Sequence, residues 1–355
     1  MRRQYGRDID SFLLEMLCLS VEYAVANKNE LEFDKGRVSN IDSNHTVLAV
    51  IGPTACGKTA LAVQLAKAMD TEVISCDSMQ LYAQMQIGTA RPTPKEMDGV
   101  PHHLLGICPI QHTFSCAEYV QAALPIVHAL LQKGKVPIFC GGTGLYLESL
   151  LYPHHFKHTA VDDERRIRRQ LQYRLATQGI MPLYDMLQRV DPDSAAQIHP
   201  NNQKRVVRAL EIFLSTGRTK TQWDAESKAI PPRFSALMIG IYFEQREVLR
   251  ARIDARVEHM LSLGLEEEVR SLWRSGVLNG ESGGAQAIGY KEWIPYFEGK
   301  QTREETIQQI KTATAQYAKR QMTFFRHMRD VHWIAADKED VEKKALCLAK
   351  SAGLL

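Results

Sequence analysis

The feature that most restricts how this chain can fold is the stretch TVLAVIGPTACGKT at 46–59. Five largely aliphatic positions, 47–51, read as a buried parallel strand, and GPTACGKT at 52–59 fits the loop G-x-x-x-x-G-K-[ST]. A helix is expected to follow over 60–66. Gly52 and Gly57 permit the backbone angles that turn successive N–H groups inward, Lys58 adds a mobile positive charge, and the helix N-terminus adds its dipole. Such a loop holds a diphosphate, and the Thr59 hydroxyl is placed to ligate a magnesium ion bridging the phosphate oxygens. A glycine-rich turn without a ligand is the structural alternative, and the strand–loop–helix context weighs against it. The loop leaves open whether the diphosphate belongs to a nucleotide or to another leaving group.

At 355 residues the chain has room for two domains, or for one core with a large insertion. No apolar run approaches the roughly 18 residues of a membrane span, and a net charge of +3 does not by itself announce a nucleic-acid partner. Seven cysteines are scattered singly, which favours buried free thiols in a reducing cytosol over disulfides or zinc. HHFKH at 154–158 reads as a solvated loop in preference to a metal site. Residues 1–44 read as an extension of unknown function, partly helical near 9–26, since acids interrupt any targeting pattern.

Further along, 72–77 reads as a second short strand whose carboxyl end presents Asp77, either near the phosphate loop or as a helix N-cap, or as both. Loop chemistry marks 87–94, and 99–103 reads as another turn. A helix over 116–133 tolerates Pro125, and a strand over 136–140 ends in GGTGLY, where Thr143 offers a hydroxyl beside a glycine pair. From 161 to 230 the pattern becomes helical and polar. Arg165, Arg166, Arg168, Arg169 and Arg174 fall within ten acid-free residues, and a second basic run follows at 199–208; together they favour a phosphate-backbone surface. The core resumes with a strand over 235–243. Arg246, Arg250, Arg252 and Arg256 lie beyond it, either reaching the phosphate site or pairing with Glu247 and Asp254. Between Glu305 and Asp330 no acid occurs, while basic residues alternate with Tyr317, Phe324 and Phe325; this suits single-stranded RNA, or a core helix with basic edges.

Taken together, GPTACGKT at 52–59, DSMQLY at 77–82, IGTARP at 87–92, GGTGLY at 141–146, HPNNQKR at 199–205, QAIGYKE at 286–292 and AKRQ at 318–321 resemble the signatures of tRNA dimethylallyltransferases of bacterial type, in order over about 46–335. The resemblance implies an α/β fold, a P-loop NTPase-like parallel sheet flanked by helices with an inserted all-helical domain. On that reading 45–160 is the first part of the catalytic core, 161–230 the helical insertion binding the anticodon stem-loop, and 231–355 the second part of the core with C-terminal helices. The activity implied is transfer of a dimethylallyl group from dimethylallyl diphosphate to the exocyclic N6 amine of the adenosine just 3′ of the anticodon (adenosine 37), in tRNAs reading codons that begin with U. Diphosphate is released, and Mg2+ is the implied cofactor.

By the same carry-over, Asp77 is the general base, Thr143 its partner and Lys58 a catalytic cation. Gly52, Pro53, Thr54, Ala55, Cys56, Gly57, Lys58, Thr59 and Arg256 bind the diphosphate, with the metal on Thr59. Contacts to tRNA are implied for Asp77, Ser78, Met79, Gln80 and Thr143 in the core, and for Arg168, Lys204, Arg205, Val206, Val207 and Arg208 in the insertion. Further contacts are implied for Gln286, Ala287, Ile288, Gly289, Tyr290 and Lys291, and for Lys319, Arg320, Gln321 and Arg326. Cys56 and Gly106 depart from the family pattern, which more often has serine and aspartate there. A cytoplasmic monomer without membrane contact is expected. The rival readings are an adenylate isopentenyltransferase of cytokinin type, which would need no extended basic surface, a P-loop small-molecule kinase, and a non-catalytic RNA-binding protein.

Overall fold

The protein is described from a computed structural model over residues 45–152, 161–278 and 283–355. The expectations for 1–44 and for 154–158 lie outside the described residues. The chain divides into two compact units, one of Asp42–Leu151 with Pro232–Leu355, the other containing Tyr152–Pro231.

In the first unit six strands pair, all in parallel: β1 (Thr46–Ile51), β2 (Val73–Ser75), β3 (His102–His103), β4 (Ile138–Gly141), β5 (Ser235–Tyr242) and β6 (Val331–Ala335), in the order β3-β2-β4-β1-β5-β6. Strands covered on both faces read as continuous apolar runs, and β1 is buried from Val47 to Ile51, β5 from Leu237 to Ile241. Each such aliphatic side chain contributes roughly 1.5–3 kcal/mol by burial. The helix Lys58–Ala68 buries Leu61, Ala62, Val63, Leu65 and Ala66 in a cluster that also holds Leu48, Val50, Ile239 and Ile241.

From central β1 the chain runs to one side for β2, β3 and β4, then to the other for β5 and β6. This reversal of direction opens a crevice at the carboxyl ends of the strands, where ligands collect in parallel sheets. At that edge Ile51 lies in register with Gly141 on one side and Gly240 on the other. Gly141 is required there, since a Cβ would lie 2.1 Å from the Cys76 carbonyl oxygen.

The parallel sheet flanked by helices is the architecture expected from the sequence, with three differences. The second strand is shorter than 72–77. His102–His103, read as part of a turn, forms the edge strand β3. No strand was expected over 331–335, because β6 lies at the other edge with His332 exposed and Val331 and Trp333 only half-buried, which weakens its apolar signal. The helix Cys116–Gln132 keeps Pro125 and starts with a capping box between Ser115 and Glu118.

The second unit is helical among its described residues: Val161–Gln178, Met181–Val190, Pro192–Gln197, Gln203–Thr216 and Lys220–Ala229. Ile167, Leu171, Leu183, Met186, Leu187 and Leu210 belong to its core. Asp191, itself buried, caps one helix through the Ser194 N–H (3.1 Å) and receives the Thr221 N–H (3.1 Å) and hydroxyl (2.7 Å). Among the described residues no helix is long and apolar enough to cross a membrane.

Candidate active site

The loop after β1 has the backbone its sequence demands. Gly52 (φ 149°) and Gly57 (φ 93°) carry positive φ, as does Ala55 (φ 64°), the last in a region that disfavours a Cβ by about 1–2 kcal/mol. A side chain on Gly52 would strike the Ile241 carbonyl at 2.5 Å. No side chain caps the helix Lys58–Ala68, so its first-turn N–H groups are left for an anion. Lys58 folds over the loop, its Nζ donating to the Pro53 carbonyl at 2.7 Å and lying 3.8 Å from Cys56 Sγ. Thr59 is half-buried in the first helical turn.

Two further elements close on this loop. From the helix Arg246–Ser262, Arg252 Nε donates to the Ala55 carbonyl at 2.8 Å. One turn on, Arg256 Nε is shut off from solvent without a partner. Burial pulls the Arg256 guanidinium below its ordinary pKa, while the charge of Asp77 opposes that shift. Arg250 instead pairs with Asp254 at 3.1 Å, so the ion-pair reading holds for that residue, while Arg252 reaches the backbone of the loop 52–59. From the helix Arg303–Phe325, buried Gln321 accepts the Thr54 N–H (2.8 Å) and donates to the Gly142 carbonyl (3.0 Å), tying the phosphate loop to the loop after β4.

Asp77 follows β2. Its Oδ1 accepts the Met79 N–H at 3.0 Å, and a Cβ on Gly142 would lie 3.5 Å from its Oδ2. Thr143 holds the same turn: its Oγ1 accepts the Ser78 N–H at 2.9 Å and donates to Ser78 Oγ at 3.2 Å. No helix follows Asp77, since 78–81 form a turn, so the helix N-cap expected there is instead a turn cap, with one carboxylate oxygen fixing the turn while the other faces the glycine pair. Tyr317 sits beside Thr143 and Gln321, its phenol pushed up by burial and by the charge of Asp77. Burial also pushes the Cys76 and Cys140 thiols up to about 12, which keeps these neighbours uncharged. Gly106, the other departure, lies beneath Arg91: a Cβ there would sit 2.3 Å from the guanidinium, which donates to the Tyr82 and Ala83 carbonyls.

The residues expected to touch RNA divide by exposure. Lys204, Arg205, Arg208, Gln286, Lys291, Lys319, Arg320 and Arg326 are exposed. Val206, Val207, Ala287 and Tyr290 are core residues, so their side chains are not a contact surface, and the Gly289 backbone is buried as well. Helical periodicity turns Val206 and Val207 inward between exposed neighbours. Arg168 reaches Glu211 through two bonds, 2.7 and 3.1 Å, and Arg208 reaches the same carboxylate at 3.2 Å. In Arg303–Phe325 the aromatics turn inward, with Phe325 buried and Phe324 and Tyr317 half-buried, so this is a core helix with basic edges.

Sequence reasoning missed the clamping role of Gln321 and the part played by Glu268, which lies in an acidic first turn of the helix Leu265–Arg274. No local spacing reveals either, because each acts on a partner more than a hundred residues away. All seven matched motifs except HPNNQKR lie in the first unit.

A family model described as IPP transferase matches residues 80–328. The tRNA dimethylallyltransferase of Halalkalibacterium halodurans is 41% identical over 300 residues, 84% of this chain and 94% of that protein. That of Bacillus cytotoxicus is 43% identical over 310 residues, 87% and 95% of the two chains. The crystal structure of a tRNA delta(2)-isopentenylpyrophosphate transferase from Staphylococcus epidermidis matches with a TM-score of 0.63 at 36% identity, covering 87% of this chain and 99% of that one. A eukaryotic dimethylallyltransferase acting on tRNA matches with a TM-score of 0.73 at 30% identity, covering 87% and 79%. With a family model spanning more than half of it and relatives of this identity along most of its length, the chain belongs to the IPP transferase family, that of the tRNA dimethylallyltransferases.

Proposed function

We propose that this protein prenylates tRNA, transferring a dimethylallyl group from dimethylallyl diphosphate to the N6 amine of the adenosine 3′ of the anticodon. The observation that carries this reading is the convergence, at one sheet edge, of an anion cradle and a carboxylate. The cradle comprises the N–H-lined loop 52–59 with Lys58, and Arg256 with its unpartnered Nε. The carboxylate is Asp77, held by its own turn and by Thr143.

An adenine amine is a weak nucleophile because its lone pair is delocalised into the ring. An allylic diphosphate is a good electrophile once its leaving group is stabilised. Lys58, the loop N–H groups and Arg256 neutralise charge growing on the departing diphosphate, without reorganising as it forms. As the carbon–nitrogen bond forms and the carbon–oxygen bond breaks, Asp77 takes the amine proton, a contribution of about 10²–10⁴-fold. Among the described residues no group of three or more His, Cys, Asp or Glu is arranged to hold a metal. Thr59, half-buried in the first turn of its helix, is the residue that would hold a magnesium ion, which would add positive charge beside the leaving group.

The target base must leave its stack, at a cost of a few kcal/mol that is smaller in a loop than in a duplex. Exposed cations on the two units, Lys204 and Arg205 on one and Lys319, Arg320 and Arg326 on the other, supply the phosphate contacts that offset it. The test is purified protein with labelled dimethylallyl diphosphate and either unmodified tRNA or adenosine monophosphate. Label is expected in tRNA only; label in the mononucleotide alone, or donor binding outcompeted by ATP with no transfer, overturns the reading.

A further inference from the structure

We propose that Glu268 and Tyr290 form a positioning pair that sets the attitude of Asp77, acting through the loop 86–90 and the side chain of Gln80. The inference rests on the reading of Asp77 as the base.

The Glu268 carboxylate accepts four groups. Three are backbone N–H groups, of Gln86 (3.1 Å), Ile87 (2.9 Å to one oxygen, 3.2 Å to the other) and Gly88 (3.2 Å). The fourth is the Tyr290 hydroxyl, at 2.6 Å. This fills the acceptor capacity of a carboxylate, and charge-assisted bonds of this kind are the stronger class. Tyr290 is fully buried and packs beneath the loop so closely that a Cβ on Gly88 would lie 2.4 Å from its ring.

With its N–H groups engaged by Glu268, the loop turns its carbonyls to another task. Gln80 Nε2 donates to the carbonyls of Thr89 (3.4 Å) and Ala90 (3.2 Å), while its Oε1 accepts from Ser75 Oγ at 3.0 Å. Gln80 lies in the turn, 78–81, that follows Asp77. That turn is tied at its start by Thr143, through the Ser78 N–H, and in its second half by the side chain of Gln80. Glu268 thus fixes the loop, the loop fixes Gln80, and Gln80 fixes the far end of the segment that carries the base. The donor's cradle is held by other side chains, Gln321 and Arg252, so the pair should affect proton removal without affecting diphosphate binding.

The test compares wild type, Glu268→Gln and Tyr290→Phe by single-turnover transfer to unmodified tRNA at saturating donor. It also measures donor affinity and amide hydrogen exchange over 86–88 and 78–80. Glu268→Gln turns an amide NH2 toward N–H donors, and is expected to slow transfer about 10–100-fold. Donor affinity should stay within about twofold, and exchange should quicken in both segments. Tyr290→Phe keeps the carboxylate and loses one bond, so a smaller loss of about 3–10-fold is expected. Unchanged transfer in Glu268→Gln, an equal fall in transfer and donor affinity, or faster exchange confined to 86–88 would each overturn the relay. A wild-type protein that transfers nothing would refute the proposed function instead, and the exchange data would still decide whether Glu268 tethers the Asp77 turn.

Discussion

The carboxyl edge of the sheet and the helical unit of 152–231 use arginine in opposite ways. At the sheet edge Arg252 spends its Nε on the Ala55 carbonyl and Arg256 has its Nε sealed from water, so guanidinium groups serve as fixed parts of a cradle. In the helical unit Arg168 and Arg208 keep 56% of their side chains exposed while one buried carboxylate, Glu211, steadies both from below. The first arrangement suits a reaction, where charge must sit in one place before it is needed. The second suits a polyanion, where partly solvated cations exchange counterions for phosphates. If the proposed function is right, the contrast teaches that the two units should fail differently when altered, one by losing turnover and the other by losing salt-dependent affinity.

The sharpest way to break this contrast is Asp77→Ala. Transfer is expected to fall by about 10²–10⁴-fold or more while tRNA still binds, read by single-turnover labelling beside a binding titration. Loss of tRNA affinity with turnover retained would reverse the roles assigned to the two regions. Next in size is Gln321→Ala, which leaves the Thr54 N–H and the Gly142 carbonyl without their partner. About tenfold weaker donor binding is expected, measured by calorimetry, because a stranded buried group costs about 1–3 kcal/mol.

A third test separates the units by acid. Burial alone would raise the Asp191 carboxyl, but hydrogen bonds from Ser194 and Thr221 outweigh it and hold the group below its ordinary value. A depressed folded pKa gives stability that is present above the unfolded value near ~3.9 and is lost as pH falls through the folded one. Helicity of this unit should therefore decline in that acid window. Asp191→Asn, about 1–2 kcal/mol less stable at neutral pH, should remove that part of the pH dependence in thermal melts. The smallest effects belong to Lys204→Ala and Arg205→Ala. Each is expected to weaken tRNA binding severalfold and to lower the slope of log affinity against log salt by about 1, without changing transfer at saturation.

Much of the carboxyl edge is legible in the sequence because it is built from backbone. The loop 52–59 needs glycine where φ is positive, and GGTG after β4 needs glycine where Cys76 and Gln321 crowd in. Asp77 and Thr143 stand directly beyond strand ends, where a parallel sheet presents its ligands. Less of the basic surface is legible, because a basic run does not say which of its members face water. Val206 and Val207 lie within such a run and are core, and the aromatics of Arg303–Phe325 turn inward while Arg303, Lys319 and Arg320 remain exposed.

By itself the sequence determined the core of the parallel sheet, the glycine-shaped loop 52–59 and the place of Asp77 beyond a strand end, since periodicity, glycine placement and short-range motifs are local properties of a chain. Only the tertiary structure decided what holds these parts in place: Gln321 on Thr54 from 267 residues away, Arg252 on Ala55 from 197, and Glu268 on the loop at 86–88 from about 180. Those bonds join groups that become neighbours only when the strands assemble, and no spacing along the chain encodes a distance created by folding.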